Sequence, residues 1–217
     1  MIHVKICGIR RLQDALAAAE YGADALGFLV GQRHSSPDFL QPDEAATIIA
    51  ALPPVETVLV THLSEPDDIA TLAITMGVTT IQLHGDTPPN QTRAIKDRMP
   101  DIKLTKAIHV IDHQSIDTAR QYANTVDALV LDTINTSTDQ IGGTGQTHDW
   151  SISRQIVAQV PIPAILAGGL TPDNVADAIR NVRPYGVDVN SGTKGPDGYK
   201  DRATLKRFIE NAKGQAD

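Results

Sequence analysis

The only cysteine of the chain lies at the end of the first predicted strand, two residues after a lysine. Residues Ile2 to Cys7 are rich in β-branched side chains and favour a β-strand, which Gly8 ends. Side chains alternate between the two faces of a strand, so Lys5 and Cys7 share one face. A nearby cation favours the thiolate, the form of cysteine that acts as a base or nucleophile. The pair is a candidate for chemistry, and the alternative is a buried, inert cysteine.

A carboxyl group follows another apolar run. Asp132 comes directly after Leu129-Val130-Leu131, which predicts a buried strand. Partial burial can raise the pKa of such a carboxyl group until it donates a proton near neutral pH. The alternative is an aspartate that caps or stabilises a loop. If Cys7 lies on the same rim, the two form a candidate acid and base, the pair that moving a proton between neighbouring carbons requires.

The elements that must position these residues alternate along the whole chain. Eight predicted strands alternate with eight predicted helices in 217 residues, and no linker or low-complexity segment divides them, so we expect one domain over residues 1–217. Strict alternation requires parallel strands, and eight such units favour a single closed (β/α)8 TIM barrel, an α/β fold, over an open doubly wound sheet, the alternative. In a barrel the loops after the strands carry the site. The residues at these strand ends include Cys7, His84, Asp132, Gly168 and Ser191.

Glycine-bearing segments follow the last three predicted strands. Glycine lets backbone amides approach a phosphate group closely, and barrels often bind phosphate at the loops after strands seven and eight. The spacing matches neither a nucleotide P-loop nor a dinucleotide fingerprint, and any one segment alone could be a plain turn. Their joint placement favours phosphate binding. The candidate phosphate-binding residues are Gly143, Gly145, Gly168, Gly169, Ser191 and Gly192.

Three further residues are candidates for binding the substrate. A lysine that points into a barrel must be paired or solvated, and the eighth strand of a closed barrel lies beside the first, so we expect Asp188 to neighbour Lys5. His84 completes this set. A lone histidine is more often structural than catalytic, and no metal-ligand spacing joins His84 to the other histidines, so we expect no metal site.

The composition is that of a soluble globular protein. Hydrophobic residues make up 41% and charged residues 21% of the chain, without an apolar run near the ~20 residues of a membrane helix. A formal net charge of −7 argues against a nucleic-acid surface, although backbone N–H groups could still bind a small anion. One cysteine cannot form an internal disulfide and the N-terminus lacks a signal-peptide pattern, so we expect a cytoplasmic protein.

Seven motifs in register resemble the phosphoribosylanthranilate isomerase family of tryptophan biosynthesis. The resemblance covers nearly the whole chain, and its specificity comes from the order of the motifs, because each one alone is weak. The motifs are Lys5-Ile6-Cys7-Gly8, Gly22 to Phe28, Gln82-Leu83-His84-Gly85, Leu131-Asp132-Thr133, Gly142 to Gly145 with Asp149-Trp150, Ala167 to Leu170, and Gly186 to Val189.

The resemblance implies a (β/α)8 barrel without a cofactor. It also implies an Amadori rearrangement of N-(5-phosphoribosyl)anthranilate to 1-(2-carboxyphenylamino)-1-deoxyribulose 5-phosphate. Cys7 matches the general base of the family and Asp132 its general acid. A thiol with the ordinary pKa of ~8.5 is only a few per cent thiolate at pH 7, so we expect Lys5 or a helix N-terminus to raise that fraction. We expect a small phosphorylated substrate as the binding partner, and a monomer or homodimer.

The chain departs from the family where the substrate's anthranilate end would bind. The family usually has an arginine just before an aromatic residue in the loop after strand two, whereas here Asp38 precedes Phe39. Arg33, earlier in a longer loop, is the candidate substitute, or the protein binds a different aglycone. Asn190 stands where serine is usual, and the third strand ends in Val60-Thr61 where asparagine is common. Two alternatives stay open: a diverged paralogue that acts on another ribose phosphate, and a non-catalytic phosphate-ligand-binding barrel.

Overall fold

The computed structural model describes residues 1–32, 36–135, 140–141 and 147–215. The strands are β1 (His3–Ile6), β2 (Ala25–Leu29), β3 (Glu56–Thr61), β4 (Thr80–Leu83), β5 (Lys103–His109), β6 (Ala128–Asp132), β7 (Ile134–Asn135), β8 (Gln140–Ile141), β9 (Ala164–Leu166) and β10 (Gly186–Val189). The helices are α1 (Leu12–Glu20), α2 (Pro42–Ala50), α3 (Pro66–Met76), α4 (Pro89–Arg98), α5 (Gln114–Tyr122), α6 (Trp150–Gln159), α7 (Val175–Val182) and α8 (Arg202–Lys213). Within the described residues, no helix combines the length and apolar character that a membrane crossing requires.

Eight of the strands in the described residues close into a parallel barrel. Their order around the barrel is β1-β10-β9-β6-β5-β4-β3-β2, and β10 pairs back to β1. The predicted (β/α)8 barrel is therefore confirmed, and the open sheet kept as an alternative is wrong. The seventh and eighth predicted strands are β9 and β10, because β7 and β8 form an antiparallel pair inside the long loop predicted between residues 132 and 149.

Alternation along the strands separates the apolar side chains into two layers. Val4 and Ile6 of β1 belong to the main hydrophobic cluster, which also contains side chains of the surrounding helices. Cys7 belongs to a second, smaller cluster with Ala25 and Val58. Full burial of one Val, Leu or Ile side chain contributes about 1.5–3 kcal/mol. The large outer layer thus supplies the stability that lets the barrel interior hold polar and charged groups.

Barrel closure places Lys5 beside Asp188. The two residues are paired in the register between β1 and β10, and the Nζ atom of Lys5 lies 2.6 Å from Oδ2 of Asp188. Their exposed fractions are 2% and 7%, so the ion pair lies in the barrel interior. Burial opposes the charge on Lys5, but the carboxylate of Asp188 raises the pKa of Lys5 above its ordinary value. The contact predicted from strand order is confirmed, and Lys5 keeps its positive charge in the barrel interior.

We expect removal of one member of this pair to cost far more stability than removal of both. Asp188→Leu leaves the buried Lys5 charge without its partner and should lower the free energy of unfolding by about 3–5 kcal/mol. The double variant Lys5→Met with Asp188→Leu replaces the pair by apolar groups of similar size and should return to within about 1 kcal/mol of the wild type. Urea unfolding followed by circular dichroism measures both values. Equal destabilisation in the single and double variants would contradict this expectation.

Candidate active site

A cavity of about 440 Å³ opens at the carboxyl ends of the barrel strands. It brings together seven residues that sequence analysis singled out: Cys7, His84, Asp132, Gly168, Gly169, Asp188 and Ser191. Lys5, behind Asp188, and Gly192, next to Ser191, are not part of the cavity lining. Arg33, Gly143 and Gly145 lie outside the described residues. The candidate acid and the candidate base therefore share one cavity.

Asp132 is the last residue of β6 and is largely buried in the cavity wall. Its Oδ1 atom accepts a 2.7 Å hydrogen bond from the backbone N–H of Thr133. Burial raises the pKa of Asp132 to about 7; the Thr133 hydrogen bond opposes this shift, and the charge of Asp188 adds to it. The carboxyl group is thus partly protonated near neutral pH. This agrees with the expected behaviour of a buried carboxyl group at the barrel rim.

His84 follows β4 and faces Asp132. Its Nε2 atom lies 3.8 Å from Oδ2 of Asp132, and its ring contacts those of His62 and His109 edge-on, with centroid distances of 5.3 and 5.4 Å. Burial lowers the pKa of His84 well below its ordinary value, and His109 and His62 lower it further. The imidazole is therefore neutral at pH 7. It can offer hydrogen bonds to a ligand, but not a positive charge.

Cys7 contributes its thiol to the cavity wall with 8% of its surface exposed. Burial raises the pKa of Cys7 to about 11; Lys5 and Lys200 lower it, and Asp188 raises it. Lys5 thus acts on the thiol in the expected direction, but burial outweighs it, so the thiolate fraction of the free protein is smaller than that of an ordinary thiol. Gly27 of β2 leaves the space for this side chain, since a Cβ atom there would lie 2.9 Å from the Sγ atom of Cys7.

The loops after β9 and β10 pack closely on one side of the cavity. Gly168 and Gly169 have φ angles of +80° and +65°, in the left-handed region that favours glycine. A Cβ atom at Gly168 would lie 2.1 Å from Oγ1 of Thr133, and one at Gly192 would lie 1.9 Å from the carbonyl oxygen of Leu170. Only glycine fits these two positions. The result is a rim of accessible backbone, the kind of surface that can bind a phosphate group.

Two lysines near the cavity were not singled out from the sequence. Lys194 lines the cavity and pairs with Asp38, the acid found where the resemblance predicts a base. Lys200 is buried, and its Nζ atom donates hydrogen bonds to the carbonyl oxygen of Asn190 at 2.8 Å and to Oγ1 of Thr193 at 3.2 Å. Burial lowers the pKa of Lys200 to about 8. Both lysines lie in the loop that follows a barrel strand, and this position could have been predicted from the sequence. Their burial and their hydrogen-bond partners could not.

The chain is similar to known proteins of one family over nearly its whole length. Residues 4–211 match the family model described as N-(5'phosphoribosyl)anthranilate (PRA) isomerase. The chain is 45% identical over 213 residues to N-(5'-phosphoribosyl)anthranilate isomerase 2 of Methanosarcina mazei, covering 98% of this chain and 94% of that protein. It is 44% identical over 214 residues to the N-(5'-phosphoribosyl)anthranilate isomerase of Methanocella arvoryzae, covering 98% and 99% of the two chains.

Solved structures of the same enzyme share the fold. The phosphoribosyl anthranilate isomerase of Thermotoga maritima superposes with a TM-score of 0.88 at 39% identity, covering 99% of this chain and all of that one (100%). A crystal structure of phosphoribosyl anthranilate isomerase in complex with reduced 1-(o-carboxyphenylamino)-1-deoxyribulose 5-phosphate gives a TM-score of 0.84 at 37% identity, with coverage of 99% and 100%. The similarity therefore spans the whole barrel and includes a ligand-bound relative.

We expect Asp132→Asn to stabilise the protein as the pH rises. The pKa of this carboxyl group is about 7 in the folded protein against an ordinary value of 3.8, so well below pH 4 it is protonated in both states and costs nothing. Between pH 4 and 7 the folded protein retains a proton that the unfolded chain releases, and the full cost, about 4 kcal/mol as an order of magnitude, applies above pH 7. Asparagine avoids this cost.

Urea unfolding of the wild type and Asp132→Asn at pH 4, 5.5, 7 and 8 measures the effect. The advantage of the variant should grow up to pH 7 and then level off. The same substitution at the exposed Asp67 is the matched control. A stability difference between the wild type and Asp132→Asn that does not change with pH would contradict the burial argument.

Proposed function

This chain belongs to the N-(5'-phosphoribosyl)anthranilate isomerase family, and we propose that within it Asp132 is the general acid and Cys7 the general base. The single observation that carries the proposal is one cavity lined by both a carboxyl group of pKa about 7 and the only thiol of the chain. An Amadori rearrangement needs one group that gives a proton to the sugar ring oxygen and another that takes a proton from C2.

The acid step belongs to Asp132. Its protonated carboxyl group donates to the furanose ring oxygen, and the C1–O bond breaks with its electron pair going to that oxygen. The nitrogen lone pair then forms a C1=N double bond, which gives an iminium ion. Asp132 is left as a carboxylate, and burial near Asp188 disfavours that charged form, which makes the carboxyl group a ready donor.

The base step belongs to Cys7. The positive iminium nitrogen acidifies the C–H bond at C2, and the thiolate of Cys7 takes this proton. The electron pair of that bond forms a C1=C2 double bond while the nitrogen becomes neutral. The resulting enol then tautomerises to the 2-ketone as C1 gains a proton and the C2 hydroxyl loses one. After these steps the site holds a thiol and a carboxylate.

The reactive protonation state is the minor one in the free protein. The thiol of Cys7 has a pKa of about 11 and the carboxyl group of Asp132 a pKa of about 7. When the two groups hold a single proton, that proton therefore lies mostly on the sulfur. Thiolate with protonated acid makes up on the order of 10⁻⁴ of that form, a cost of about 5 kcal/mol. The iminium charge that develops beside Cys7 favours the thiolate and offsets part of this cost. Turnover therefore depends on one shared proton rather than on a permanently ionised thiol.

The glycine rim of the loops after β9 and β10 is the proposed phosphate anchor. Gly168, Gly169 and Ser191 line the same cavity as the acid and base, and Gly192 continues the rim. Gly143 and Gly145 remain candidates from the sequence. An anchored phosphate fixes the ribose so that its ring oxygen and C2 face Asp132 and Cys7, which is how binding energy lowers the barrier for both proton transfers.

A second candidate function is the paralogue that uses the same acid and base on another ribose phosphate. Asp38 is the observation that favours it, since this carboxylate lines the cavity. The pairing of Asp38 with Lys194 weakens that reading, because the carboxylate does not face a ligand as an uncompensated charge.

Complementation of a tryptophan auxotroph that lacks this isomerase tests the proposal. We expect growth with the wild type and none with Cys7→Ala or Asp132→Asn, since loss of a general acid or base typically lowers the rate 10²–10⁴-fold. Asp67→Asn is the control that should grow. No growth with a folded wild type, together with phosphate esters that raise its Tm, would instead favour the paralogue or the non-catalytic binder.

The shared proton predicts an unusual pH profile. The form with one proton dominates between pH about 7 and about 11, so kcat/KM of the wild type should rise up to about pH 7 and stay level to pH 10. Residual activity of Asp132→Asn should keep rising through pH 10, because only the thiol still titrates. Steady-state kinetics from pH 5 to 10 measure both profiles. A kcat/KM of the wild type that is already level at pH 5 would contradict a mechanism in which Asp132 and Cys7 share one proton.

A further inference from the structure

A buried carboxylate at the cavity mouth is bound by cations from two other loops. Asp38, in the loop between β2 and α2, is 6% exposed and lines the cavity. The Nζ atom of Lys194, in the loop after β10, lies 2.6 Å from its Oδ1 and 2.5 Å from its Oδ2. The Nε atom of Arg10, in the loop after β1, lies 3.8 Å from Oδ1. Three loops are therefore joined at one carboxylate.

Asn190 connects this group to the rest of the cavity. Its Nδ2 atom donates a 2.9 Å hydrogen bond to Oδ2 of Asp38, and its Oδ1 atom accepts one of 3.1 Å from Lys200. A Cβ atom at Gly8 would lie 2.3 Å from that same Oδ1, so Gly8 leaves the space that Asn190 fills. Asp38 and Asn190, two positions at which the resemblance predicts other residues, are thus partners in one hydrogen bond. The two departures form one arrangement.

The charges of this arrangement leave a positive excess. Asp38 contributes one negative charge, whereas Lys194 and Arg10 contribute two positive charges beside it. An ammonium group has three N–H donors, and Asp38 takes at most two from Lys194. Among the described residues the ammonium group of Lys194 donates only to Asp38, and Lys194 lines the cavity, so its remaining donor can serve a ligand. The ammonium group of Lys194 therefore suits a ligand group with one negative charge.

Strand order separates the contact between Lys194 and Asp38 from the contact between Gly192 and Leu170. The glycine rim packs on the β9 side of β10, where Gly192 approaches Leu170. The contact between Lys194 and Asp38 bridges the loops after β10 and β2, on the other side of β10 and across β1. A ligand with its phosphate at the rim and its reacting carbons at Cys7 would direct its aglycone toward Lys194.

We propose that Lys194, held in place by Asp38 and Asn190, binds the carboxylate of the substrate's aromatic end. This inference rests on the proposed function, and it makes Lys194 a specificity-determining residue from the loop after β10. The ligand group it recognises is an aromatic carboxylate ortho to the linking nitrogen. Asp38 acts through Lys194 as a positioning residue and does not repel the substrate, because its charge is already neutralised.

Two ligands that differ only in the carboxyl group test the proposal by calorimetry. One is reduced 1-(o-carboxyphenylamino)-1-deoxyribulose 5-phosphate, and the other is the analogue made from aniline, which lacks the carboxyl group. Lys194→Gln should weaken binding of the first by about tenfold or more and of the second by less than about twofold, because only the first loses a charge-assisted hydrogen bond. Lys194→Arg should restore most of the affinity for the first ligand.

Two further variants separate binding from folding. The double variant Asp38→Asn with Lys194→Gln removes both charges of this ion pair, while Arg10 keeps its hydrogen bonds to the carbonyl oxygens of Pro37 and Gly198. It should show the same selective loss with a Tm near that of the wild type. Lys206→Gln, at an exposed lysine of α8, should change neither affinity. An equal loss for both ligands in Lys194→Gln would overturn the proposal, since it would mean that Lys194 contacts the phosphate.

Arg33 provides the competing explanation. A selective loss in Arg33→Gln with an unchanged Lys194→Gln would also overturn the proposal, while leaving the isomerase function intact if the wild type still complements the auxotroph. Failure of the wild type to bind either ligand would overturn this inference and the proposed function together. A selective loss in Lys194→Gln with Arg33→Gln unchanged supports Lys194 as the carboxylate-binding residue.

Discussion

The buried ion pair between Lys5 and Asp188 is the interaction on which the rest of the site depends. It lies at the seam where β10 closes onto β1, so the barrel cannot close without bringing these charges together. Each member acts on the pKa of both Cys7 and Asp132: Lys5 lowers the two values and Asp188 raises them. Because these effects oppose each other, burial decides both pKa values. The pair thus places two opposite charges in the barrel interior. It does not determine the protonation states of Asp132 and Cys7.

Burial acts on the proposed acid, Asp132, and the proposed base, Cys7, in opposite functional directions. A raised pKa suits Asp132, since a general acid must keep its proton near neutral pH, but it works against Cys7, since a general base must lose one. The pKa values therefore favour the form with the proton on sulfur, which in the proposed mechanism is the form that follows a turnover. In the proposed mechanism the substrate's own iminium charge supplies the stabilisation that Lys5 alone does not provide.

The sequence could predict the architecture and the positions of the site because both follow from periodicity. Alternating strands and helices gave the barrel, and closure of the barrel gave the contact between Lys5 and Asp188. The pKa direction of Cys7 could not be predicted, since the lysine two residues away is visible in the sequence while the burial that outweighs it is not. The bond between Asp38 and Asn190 joins residues 152 positions apart. No local pattern indicates such a contact, so the two residues read as separate departures.

The two departures at Asp38 and Asn190 have a different interpretation once their contact is known. An isolated aspartate where a base is expected argues against an anionic aglycone, and on that ground the sequence left another substrate open. In the structure Asp38 is one member of a group whose two cations outnumber it. If Lys194 binds the substrate carboxylate, the positive charge at the mouth comes from the loop after β10. The resemblance predicts it in the loop after β2, where Asp38 instead holds Lys194 in place. An acid at this position is then compatible with the same substrate, because recognition depends on the net charge facing the ligand and not on which loop carries it.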